Sequence, residues 1–403
     1  MASSVHIVLN AGSSSLKFQV FDVDGQNETP LFRGLFEGLS GDAAGTPARV
    51  RIRDGTGVIV HDHAWAVTPG EGHEQALDRL LGWARATLQG RRLAGIGHRV
   101  VHGGRDHAAP ALVDDALLEA LETLVPLAPL HQPHNLGPIR IIRRLLPDLP
   151  QVACFDTAFH RTQPELAQMF ALPRAITAQG VLRYGFHGLS YEFIAGSLRS
   201  FDPALADGRV VVAHLGNGAS ACALKAGRSV ASTMGFSALD GLMMGTRCGA
   251  IDPAVVFHLI RENGLTPADA ETLLYTQCGL LGVSGLSNDM RVLRSAASGN
   301  PDARQAIDLF VYRIVREIGS LVAALGGIDG LVFTAGIGEN DDATRAEVIA
   351  GLAYLGIELD REANAAGGPR ISRAGGPSAW AIPTNEELAI ARHMSALLGT
   401  AIH

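Results

Sequence analysis

Apolar residues in the first half of the chain fall into short segments separated by polar turns, a pattern typical of β-strands. Residues 5–9 and 18–22 flank a small polar turn and predict two paired strands. Apolar residues at helical spacing over 74–88 predict an amphipathic helix. Further strands are expected at 31–36, 48–53, 64–68, 96–101 and 151–155, and further helices at 114–124 and 136–145. Strands followed by alternating helices and strands indicate an α/β domain with a mixed sheet.

The second half of the chain begins in the same way, with a strand at 209–214, a glycine-rich turn and a second strand at 219–224. Apolar residues then repeat at helical spacing over 307–325, which predicts a long helix with a wide apolar face. A strand at 329–334 runs directly into a third glycine-containing turn at 335–340.

One short pattern occurs in both halves. Residues 8–17 read VLNAGSSSLK, and residues 211–225 read VVAHLGNGASACALK. Each segment combines a strand, a turn of glycine and small polar residues, and a returning strand. A duplication and a chance similarity of two hairpins explain this loose identity about equally well. Duplication would imply two similar domains that face one another, each with one phosphate-binding turn.

The length of 403 residues also favours two domains over one. We predict a first domain at residues 1–157, which contains the first turn, and a second, nucleotide-binding domain at 158–386. The final helix, at about 387–403, is expected to pack back on the first domain.

Composition narrows the class of protein. The formal net charge of −7 and the pI of about 6.1 give no sign of a nucleic-acid footprint. No signal peptide and no run of roughly twenty apolar residues is visible, so a membrane protein is not expected. The four cysteines form no C-x-x-C pair, which predicts reduced thiols and a cytoplasmic location. They are Cys154, Cys222, Cys248 and Cys278.

The turn at residues 10–17, NAGSSSLK, has the parts of a phosphate site. Gly12 allows close approach of the backbone, and Asn10 offers a neutral oxygen suited to Mg²⁺ or its water shell. Hydroxyl groups and a cation are supplied by Ser13, Ser14, Ser15 and Lys17. The alternative is a polar hairpin turn with an exposed lysine.

Two more glycine-containing turns follow apolar strands. HLGNG at 214–218 is a second candidate for phosphate, and GIGEN at 336–340 could accept adenine or ribose against its backbone, with Asn340 as a hydrogen-bonding group. The chain has no Gly-Lys dipeptide, which excludes a Walker A loop, and GIGEN lacks the third glycine of a dinucleotide fingerprint. Three such turns together favour nucleotide binding through another architecture.

Several charged residues stand among small or apolar neighbours. Arg99, His187 and Arg247 are candidates to bind a carboxylate or phosphate, with structural ion pairs as the alternative. Asp156 closes a predicted strand, where α/β sheets place functional groups. Glu386 begins the final helix and could serve helix-terminal electrostatics instead.

His102, like Arg99, stands among small and apolar residues in GHRVVHGG, and the segment HQPH contains His131 and His134. Pro133 between the latter two argues against a regular metal-binding helix turn, and no HExxH occurs. A zinc site is therefore not expected, and a turn or subunit-contact role is favoured.

Long motifs in this chain resemble the ordered motif set of the acetate kinases, over essentially the whole sequence. They are VLNAGSSSLK, HRVVHGG, FDTAFH, RYGFHG, HLGNGAS, GLMMGTR, GLLGVSG, TAGIGEN and PTNEELAIA. Propionate and butyrate kinases share parts of the set. The resemblance implies an α/β fold of two duplicated ribonuclease H-like domains, with mixed sheets facing a nucleotide cleft. It also implies ATP and acetate as substrates, Mg²⁺ (or Mn²⁺) and a homodimer.

The resemblance further implies a role for each matching residue. Asn10 and Glu386 would organise the metal, and Arg99 would bind the acetate carboxylate. The catalytic residues would be Asp156, His187 and Arg247. The apolar pocket for the acetate methyl would be formed by Val101, Leu130 and Phe186. ATP would be held by Ser13, Ser14, Ser15, Lys17, His214, Leu215, Gly216, Asn217, Gly218, Asp289, Met290, Arg291, Gly336, Ile337, Gly338, Glu339 and Asn340.

The chain departs from the family pattern at several positions. The family often has FHGTSH where this chain has Leu189 and Tyr191, and Phe where it has Met290. Ala238 stands at a common proline and would widen the acetate pocket, which favours propionate as a second substrate. Ser and Asp usually follow the motif arginine where this chain has Cys248 and Ala250.

Three rival functions remain open from the residues. Another acyl kinase is the nearest, although Val101 favours a small acceptor. A sugar kinase would need a base for a hydroxyl nucleophile, whereas a carboxylate near pH 7 is already ionised. We therefore expect Asp156 to orient substrate or metal-bound water without abstracting a proton. A chaperone- or filament-type ATPase would leave Arg99, His187 and Arg247 without a purpose.

Overall fold

The computed structural model describes residues 3–23, 28–41, 46–68, 70–88 and 90–399. The strands are β1 Ser4–Ala11, β2 Ser15–Asp22, β3 Phe32–Glu37, β4 Ala48–Asp54, β5 Ile59–Trp65, β6 Arg92–Val100, β7 Ala111–Leu112, β8 Gln151–Phe155, β9 Arg209–Leu215, β10 Ala219–Lys225, β11 Arg228–Ser232, β12 Gly330–Thr334 and β13 Ser378–Ala381.

Helices connect these strands and cover the sheets. They are α1 Gly72–Thr87, α2 Asp115–Glu122, α3 Gln132–Leu145, α4 Glu165–Gln168, α5 Arg174–Ala178, α6 Gly188–Phe201, α7 Pro203–Ala206, α8 Pro253–Arg261, α9 Pro267–Thr276, α10 Gly279–Ser284, α11 Met290–Ala296, α12 Pro301–Leu325, α13 Ala335–Asn340, α14 Asp342–Gly351, α15 Arg361–Ala365 and α16 Glu386–Leu398. Short 3-10 turns occur at Val125–Leu127, Ala158–Thr162 and Ala353–Leu355.

Two compact units divide the chain. The first combines both ends of the sequence, Met1–Ala158 and Asn385–His403, and the second contains Phe159–Thr384. The part of the predicted final helix at 400–403 lies outside the described residues.

The first unit contains a mixed sheet with the strand order β5-β4-β3-β2-β1-β6-β8-β7. β1, β2 and β3 pair antiparallel, whereas β1, β6 and β8 run parallel. Side chains of β2 alternate between core and solvent, with Leu16 and Phe18 buried and Lys17 exposed between them. This alternation follows from the two-residue period of a strand and gives the sheet one apolar face. The apolar faces of α1 and α3 contribute Leu77, Leu80 and Ile142 to the same core.

The final helix α16 packs against β6 at two glycines. A Cβ atom on Gly97 would lie 2.6 Å from Ile390 Cγ2 and 2.5 Å from Met394 Sδ, and one on Gly95 would lie 2.7 Å from Leu398 Cδ1. The bare backbone of these two positions therefore allows the helix to approach the strand. Successive residues of a strand point to opposite faces, so α16 lies on the face of β6 opposite that of Ile96, which joins the core with α1.

The second unit has its own mixed sheet, in the order β11-β10-β9-β12-β13. β9, β10 and β11 pair antiparallel, whereas β9, β12 and β13 run parallel. The strands β3-β2-β1-β6-β8 of the first unit have the same order and the same directions. The repeated hairpins of the sequence thus occupy equivalent positions in two sheets of one topology, which supports duplication. The predicted α/β class with two mixed sheets is confirmed.

The long predicted helix is confirmed as α12, which begins after the N-cap Asn300 and ends at Gly326 in the left-handed conformation. Its buried residues include Ile307, Phe310 and Ile314, which lie at helical spacing. Among the described residues, no helix combines the length and apolar character that a membrane crossing requires.

Three predicted elements differ from the structure. The strand expected at 64–68 is Ile59–Trp65, because the strand continues backwards through exposed residues that carry no core pattern. The helix expected at 136–145 begins at Gln132, since Pro133 fits the first turn of a helix, where its missing N–H is not needed. The glycine-containing segment 335–340 is the short helix α13 and not a turn.

Candidate active site

An arginine–carboxylate pair lies at the carboxyl ends of two parallel strands in the first unit. Arg99 is the penultimate residue of β6, and Asp156 directly follows β8. Arg99 donates from Nε to Asp156 Oδ1 at 3.0 Å and from Nη2 to Asp156 Oδ2 at 2.6 Å. Asp156 is only 1% exposed, so this bidentate pair holds the guanidinium in one orientation.

Asn10 and Glu386 lie beside the same guanidinium. Arg99 Nη1 donates to Asn10 Oδ1 at 3.4 Å, and Arg99 Nε is 3.6 Å from Glu386 Oε2. Asn10 lies in β1, and Glu386 is the first residue of α16. Burial raises the pKa of Glu386 to about 7, which the negative charge of Asp156 reinforces and the positive charge of Arg99 opposes. Four residues predicted for this site are thus brought together within one unit.

The oxygen donors of this cluster fit a hard divalent cation. Mg²⁺ typically uses one or two carboxylates and completes its shell with water and substrate phosphates. Asn10, Asp156 and Glu386 provide an amide oxygen and two carboxylates around Arg99. No group of three His, Cys, Asp or Glu residues able to hold a metal occurs among the described residues.

The turn between β1 and β2 is closed by Gly12, whose N–H donates to the carbonyl of Ser15 at 2.9 Å. Ser13, Ser14 and Lys17 are exposed, as a surface that receives phosphate requires. His73 Nε2 lies 2.8 Å from the carbonyl oxygen of Gly12 and was not predicted.

Asn135 is a further residue near the first turn that was not predicted. Its Nδ2 donates to the carbonyl of Ala11 at 2.8 Å, and its Oδ1 accepts from the backbone N–H of Val101 at 2.9 Å. This single side chain therefore ties the first turn to the segment that carries the predicted acetate pocket. In the sequence, only its position directly after HQPH could have indicated it.

The residues predicted to contact the acetate methyl differ in exposure. Val101 is buried, whereas Leu130 is 44% exposed. Phe186 lies in the second unit and is buried there. Their shared role stays a prediction.

In the second unit, His187 and Arg247 converge on the second glycine turn. A Cβ atom on Gly218 would lie 2.9 Å from Arg247 Nη2 and 3.3 Å from His187 Nε2, so these two side chains lie beside this glycine. The rings of His187 and His214 stack at 4.2 Å with an angle of 19°. Arg247 also donates from Nη1 to the carbonyl of Ala238 at 2.6 Å, which fixes its guanidinium.

A pocket of about 870 Å³ in the second unit joins three predicted segments that are far apart in sequence. Its size falls in the range of pockets for small ligands and cofactors. The predicted residues that line it are Gly216, Asn217, Asp289, Met290, Arg291, Gly336, Ile337 and Asn340. Asn288, Arg294 and Asp341 line it as well and were not predicted.

Two side chains of the GIGEN segment are engaged within the protein. Glu339 Oε1 accepts from the backbone N–H groups of Ala335 at 2.8 Å and Thr384 at 3.1 Å, which caps the start of α13. Asn340 Nδ2 donates to the carbonyl of Gly336 at 2.9 Å. The buried Arg345, which was not predicted, donates to the carbonyls of residues 338 and 339 at the end of this helix. Glu339 thus has a clear structural role, and its contact with nucleotide stays a prediction.

Comparison with known proteins agrees with this architecture. A crystal structure of an acetate kinase from Porphyromonas gingivalis matches with a TM-score of 0.86 at 34% identity, over 98% of this chain and 100% of that one. A propionate kinase from Francisella tularensis subsp. tularensis SCHU S4 matches with a TM-score of 0.87 at 34% identity, over 97% and 98% of the two chains. The fold is therefore that of the acetate and propionate kinases.

Sequence comparison is more specific. The family model of the acetokinase family matches residues 5–392. A protein named acetate kinase from Rhodopseudomonas palustris (strain ATCC BAA-98 / CGA009) is 52% identical over 396 residues, which cover 97% of this chain and 98% of the relative. An acetate kinase from Rhizobium meliloti is 48% identical over 393 residues, with 97% and 98% coverage. The chain belongs to the acetokinase family, which confirms the resemblance seen in its motifs.

Proposed function

We propose that this protein is an acetate kinase, which transfers the γ-phosphoryl group of ATP to acetate and gives acetyl phosphate and ADP. The observation that carries the proposal is the fixed guanidinium of Arg99. An arginine has five N–H donors, and the pair with Asp156 occupies the edge formed by Nε and Nη2. A third donor, on Nη1, contacts Asn10, which leaves one N–H on each of Nη1 and Nη2 for a carboxylate.

In this proposal the acceptor needs no general base, because a carboxylate is already ionised near pH 7. Both oxygens of Asp156 accept hydrogen bonds from Arg99, which supports a positioning role for this carboxylate. His187 and Arg247 donate to oxygens of the phosphoryl group as charge redistributes during transfer. Asn10 and Glu386 hold Mg²⁺ (or Mn²⁺), and the cation supplies neutralisation of phosphate charge when it is bound.

ATP binding is assigned to the pocket of the second unit. Its lining combines backbone of the two glycine-containing segments with Met290, which is buried and offers an apolar surface to a flat base. Arg291 and Asp289 form an ion pair at its exposed edge, at 2.6 Å between Nη2 and Oδ2. Ser13, Ser14, Ser15 and Lys17 are the proposed phosphate contacts of the first unit.

Acetate is favoured over propionate as the acceptor. The relatives that share about half of their residues with this chain are named acetate kinase, whereas the matching propionate kinase shares 34%. A sugar kinase or a chaperone-type ATPase is not supported, since the chain belongs to the acetokinase family. A cytoplasmic location stays a prediction.

A homodimer is also proposed, with α8 in the interface. This helix has no buried residue, although it carries Val255 and Phe257, which are 41% and 54% exposed. Ile251, just before the helix, is exposed as well. A second copy of the chain is the partner that would cover these apolar side chains.

One assay tests the proposed reaction against its rivals. The protein is incubated with Mg-ATP and acetate, propionate, butyrate, glycerol or no acceptor, acyl phosphate is trapped with hydroxylamine, and ADP is measured in parallel. We expect the highest kcat/KM with acetate and one ADP for each trapped acetyl group. ADP release at the same rate without an acceptor would contradict the proposal.

A further inference from the structure

A chain of hydrogen-bonding side chains lies behind His187, on the side away from Gly218. The hydroxyl of Tyr191 is 2.5 Å from Ser220 Oγ, and Ser220 Oγ is 2.8 Å from His187 Nδ1. Tyr191 lies one turn into α6, whose N-cap is His187, and Ser220 lies in β10. Both Tyr191 and Ser220 are fully buried, so solvent does not compete for these hydrogen bonds.

We propose that Tyr191, acting through Ser220, holds His187 in the tautomer that carries its proton on Nε2. Tyr191 and Ser220 are then positioning residues of the phosphoryl-transfer site, and this role rests on the proposed function of His187 as a donor to the phosphoryl group. Two arguments from the neighbouring atoms support this tautomer.

The first argument is a proton count. A serine hydroxyl has one proton to donate and two lone pairs to accept with. If Tyr191 donates to Ser220, the single proton of Ser220 is directed to His187 Nδ1. Nδ1 is then an acceptor, and the N–H of the neutral imidazole is on Nε2. The reverse direction would place the imidazole proton on Nδ1 and leave Nε2 without one.

The second argument is the position of Nε2. This atom and Arg247 Nη2 both lie beside Gly218 in the second glycine turn. A protonated Nε2 therefore presents a donor next to a guanidinium, at a turn proposed to receive phosphate. An unprotonated Nε2 would present a lone pair there, which repels an anionic oxygen. Only the Nε2–H tautomer suits the proposed chemistry without a net charge on the ring.

The ring is also held in its plane. His214 stacks on His187 at 4.2 Å, and its own Nδ1 lies 2.8 Å from Ser190 Oγ. Ser190 in turn donates to Thr384 Oγ1 at 2.9 Å. The backbone of His187 has φ 57°, in the left-handed region, which sets the direction of the side chain at the start of α6. Rotation is thus restricted by stacking, while the proton position is set by Ser220.

Tyr191→Phe tests the inference, because it removes the hydroxyl that contacts Ser220 and keeps the buried ring. The tautomer of His187 is determined from ¹⁵N shifts in long-range ¹H–¹⁵N spectra of the full chain, assigned by comparison with His187→Asn. We expect the Nε2–H form in the wild type and a measurable Nδ1–H population in Tyr191→Phe. The kcat should fall about tenfold, less than the 10²–10³ typical for a lost direct donor. KM for ATP and acetate should change less than twofold.

A double-mutant cycle separates a connected chain from two independent structural effects. Ser220→Ala should lower kcat as much as the double variant Tyr191→Phe/Ser220→Ala, because either change breaks the same chain. Independent effects would multiply and contradict the inference. Tyr184→Phe is the matched control, since it also removes the hydroxyl of a buried tyrosine, one that donates to the backbone carbonyl of Gly180 at 2.7 Å. It should leave kcat and the His187 tautomer unchanged.

The outcomes distinguish this inference from the proposed function. An Nδ1–H tautomer in the wild type, or an unchanged tautomer and kcat in both Tyr191→Phe and Ser220→Ala, would overturn the inference. Absence of acetyl phosphate formation by the wild type would overturn the proposed function, and the spectra would still decide how His187 is protonated.

Discussion

Glu386 is a single residue whose protonation depends strongly on its surroundings. Its pKa is raised by burial to about 7, above the value of 4.5 for an ordinary glutamate. A carboxyl group with a raised folded pKa binds its proton more tightly in the native state. Its contribution to stability is therefore complete below pH 4.5 and is lost as the pH rises through 7.

Glu386→Gln should remove this dependence, because the amide stays neutral. In EDTA and without nucleotide, the free energy of unfolding of the variant relative to the wild type should increase by about 1–3 kcal/mol between pH 5 and pH 8. Chemical denaturation at several pH values measures it. A difference between variant and wild type that is constant over this range would show that Glu386 titrates normally.

The pair of Arg99 and Asp156 gives a second prediction at this scale. Arg99→Ala should raise KM for acetate more than it lowers kcat, since the side chain is proposed to bind the carboxylate in both ground and transition states. It should also destabilise the protein by about 3–5 kcal/mol, because Asp156 is left buried without its partner. Kinetics at low temperature and denaturant titrations measure the two effects.

Asp156→Asn is the informative second substitution for stability. Added to Arg99→Ala, it removes the unpaired charge and should recover part of the lost free energy of unfolding. Further loss in the double variant would contradict the assigned ion pair. A large fall in kcat with an unchanged KM for acetate would show that the role of Arg99 is misassigned.

Several residues of the site could be predicted from the sequence, and others could not. Arg99 and Asp156 stand out as charged residues at the ends of apolar strands. Three other residues make contacts that are distant in sequence. Asn135 contacts Val101, Ser220 contacts His187, and Arg345 contacts Asn364. No local pattern distinguishes such polar residues from those of any turn or surface. Glu339 was predicted for ATP from its motif, but its contacts with Ala335 and Thr384 depend on the folded course of α13.

At the scale of elements, the packing of α16 on β6 depends on glycine. Gly97→Ala would place a Cβ within 2.6 Å of atoms of Ile390 and Met394. We expect a loss of about 1–3 kcal/mol in the free energy of unfolding, as for other overpacked sites. The activity should fall as well, because α16 carries Glu386. Denaturant titration and the acetyl phosphate assay measure both.

Gly137→Ala is the matched control for this prediction. Gly137 lies inside α3, and no atom lies within 4 Å of the Cβ that alanine would add. This substitution should be neutral or stabilise the helix by up to about 1 kcal/mol. Equal losses for the two variants would contradict the packing argument.

The pocket beside α13 allows a similar comparison. A side chain on Gly336 would meet no protein atom within 4 Å of its Cβ, and this residue lines the pocket. Gly336→Leu should therefore fill space proposed for the nucleotide and weaken ADP binding by tenfold or more, about 1.4 kcal/mol. Calorimetric titration measures the affinity. Gly299→Leu, at another unhindered glycine of the same unit, should bind ADP normally, and equal binding by both variants would exclude the pocket.

Elements with a strong internal pattern were predicted, and those defined by partners were not. β1 and β9 are nearly continuous buried runs, whereas β2 and α12 show apolar periodicity. The short strands β7 and β13 have two and four residues and exist because a neighbouring strand pairs with them. The glycines of α13 predict a turn, because glycine is unfavourable in helices. The helix forms because Glu339 accepts from the N–H of Ala335 at its start and Arg345 donates to the carbonyl of Gly338 at its end.

For the whole molecule, the proposed dimer can be tested at α8. The double variant Val255→Asp/Phe257→Asp places charge on its exposed apolar side chains. We expect sedimentation to change from a dimer to a monomer of about half the mass, since a charge buried in an interface is costly. Leu166→Asp, at a residue that is 85% exposed in α4, is the control and should remain dimeric. A monomeric wild type would contradict the proposal.

The first unit contains two segments of the chain, one before and one after the second unit, and this order has a consequence for biosynthesis. A ribosome that adds ~5–20 residues per second needs roughly ten to fifty seconds to synthesise the second unit after the first 158 residues are complete. During that time the glycines of β6 have no helix to pack against, because α16 is synthesised only after the whole second unit. The second unit is continuous and has all of its residues earlier. A chain that terminates before Asn385 therefore lacks both Glu386, the proposed metal ligand, and the helix that packs on β6 of the first sheet.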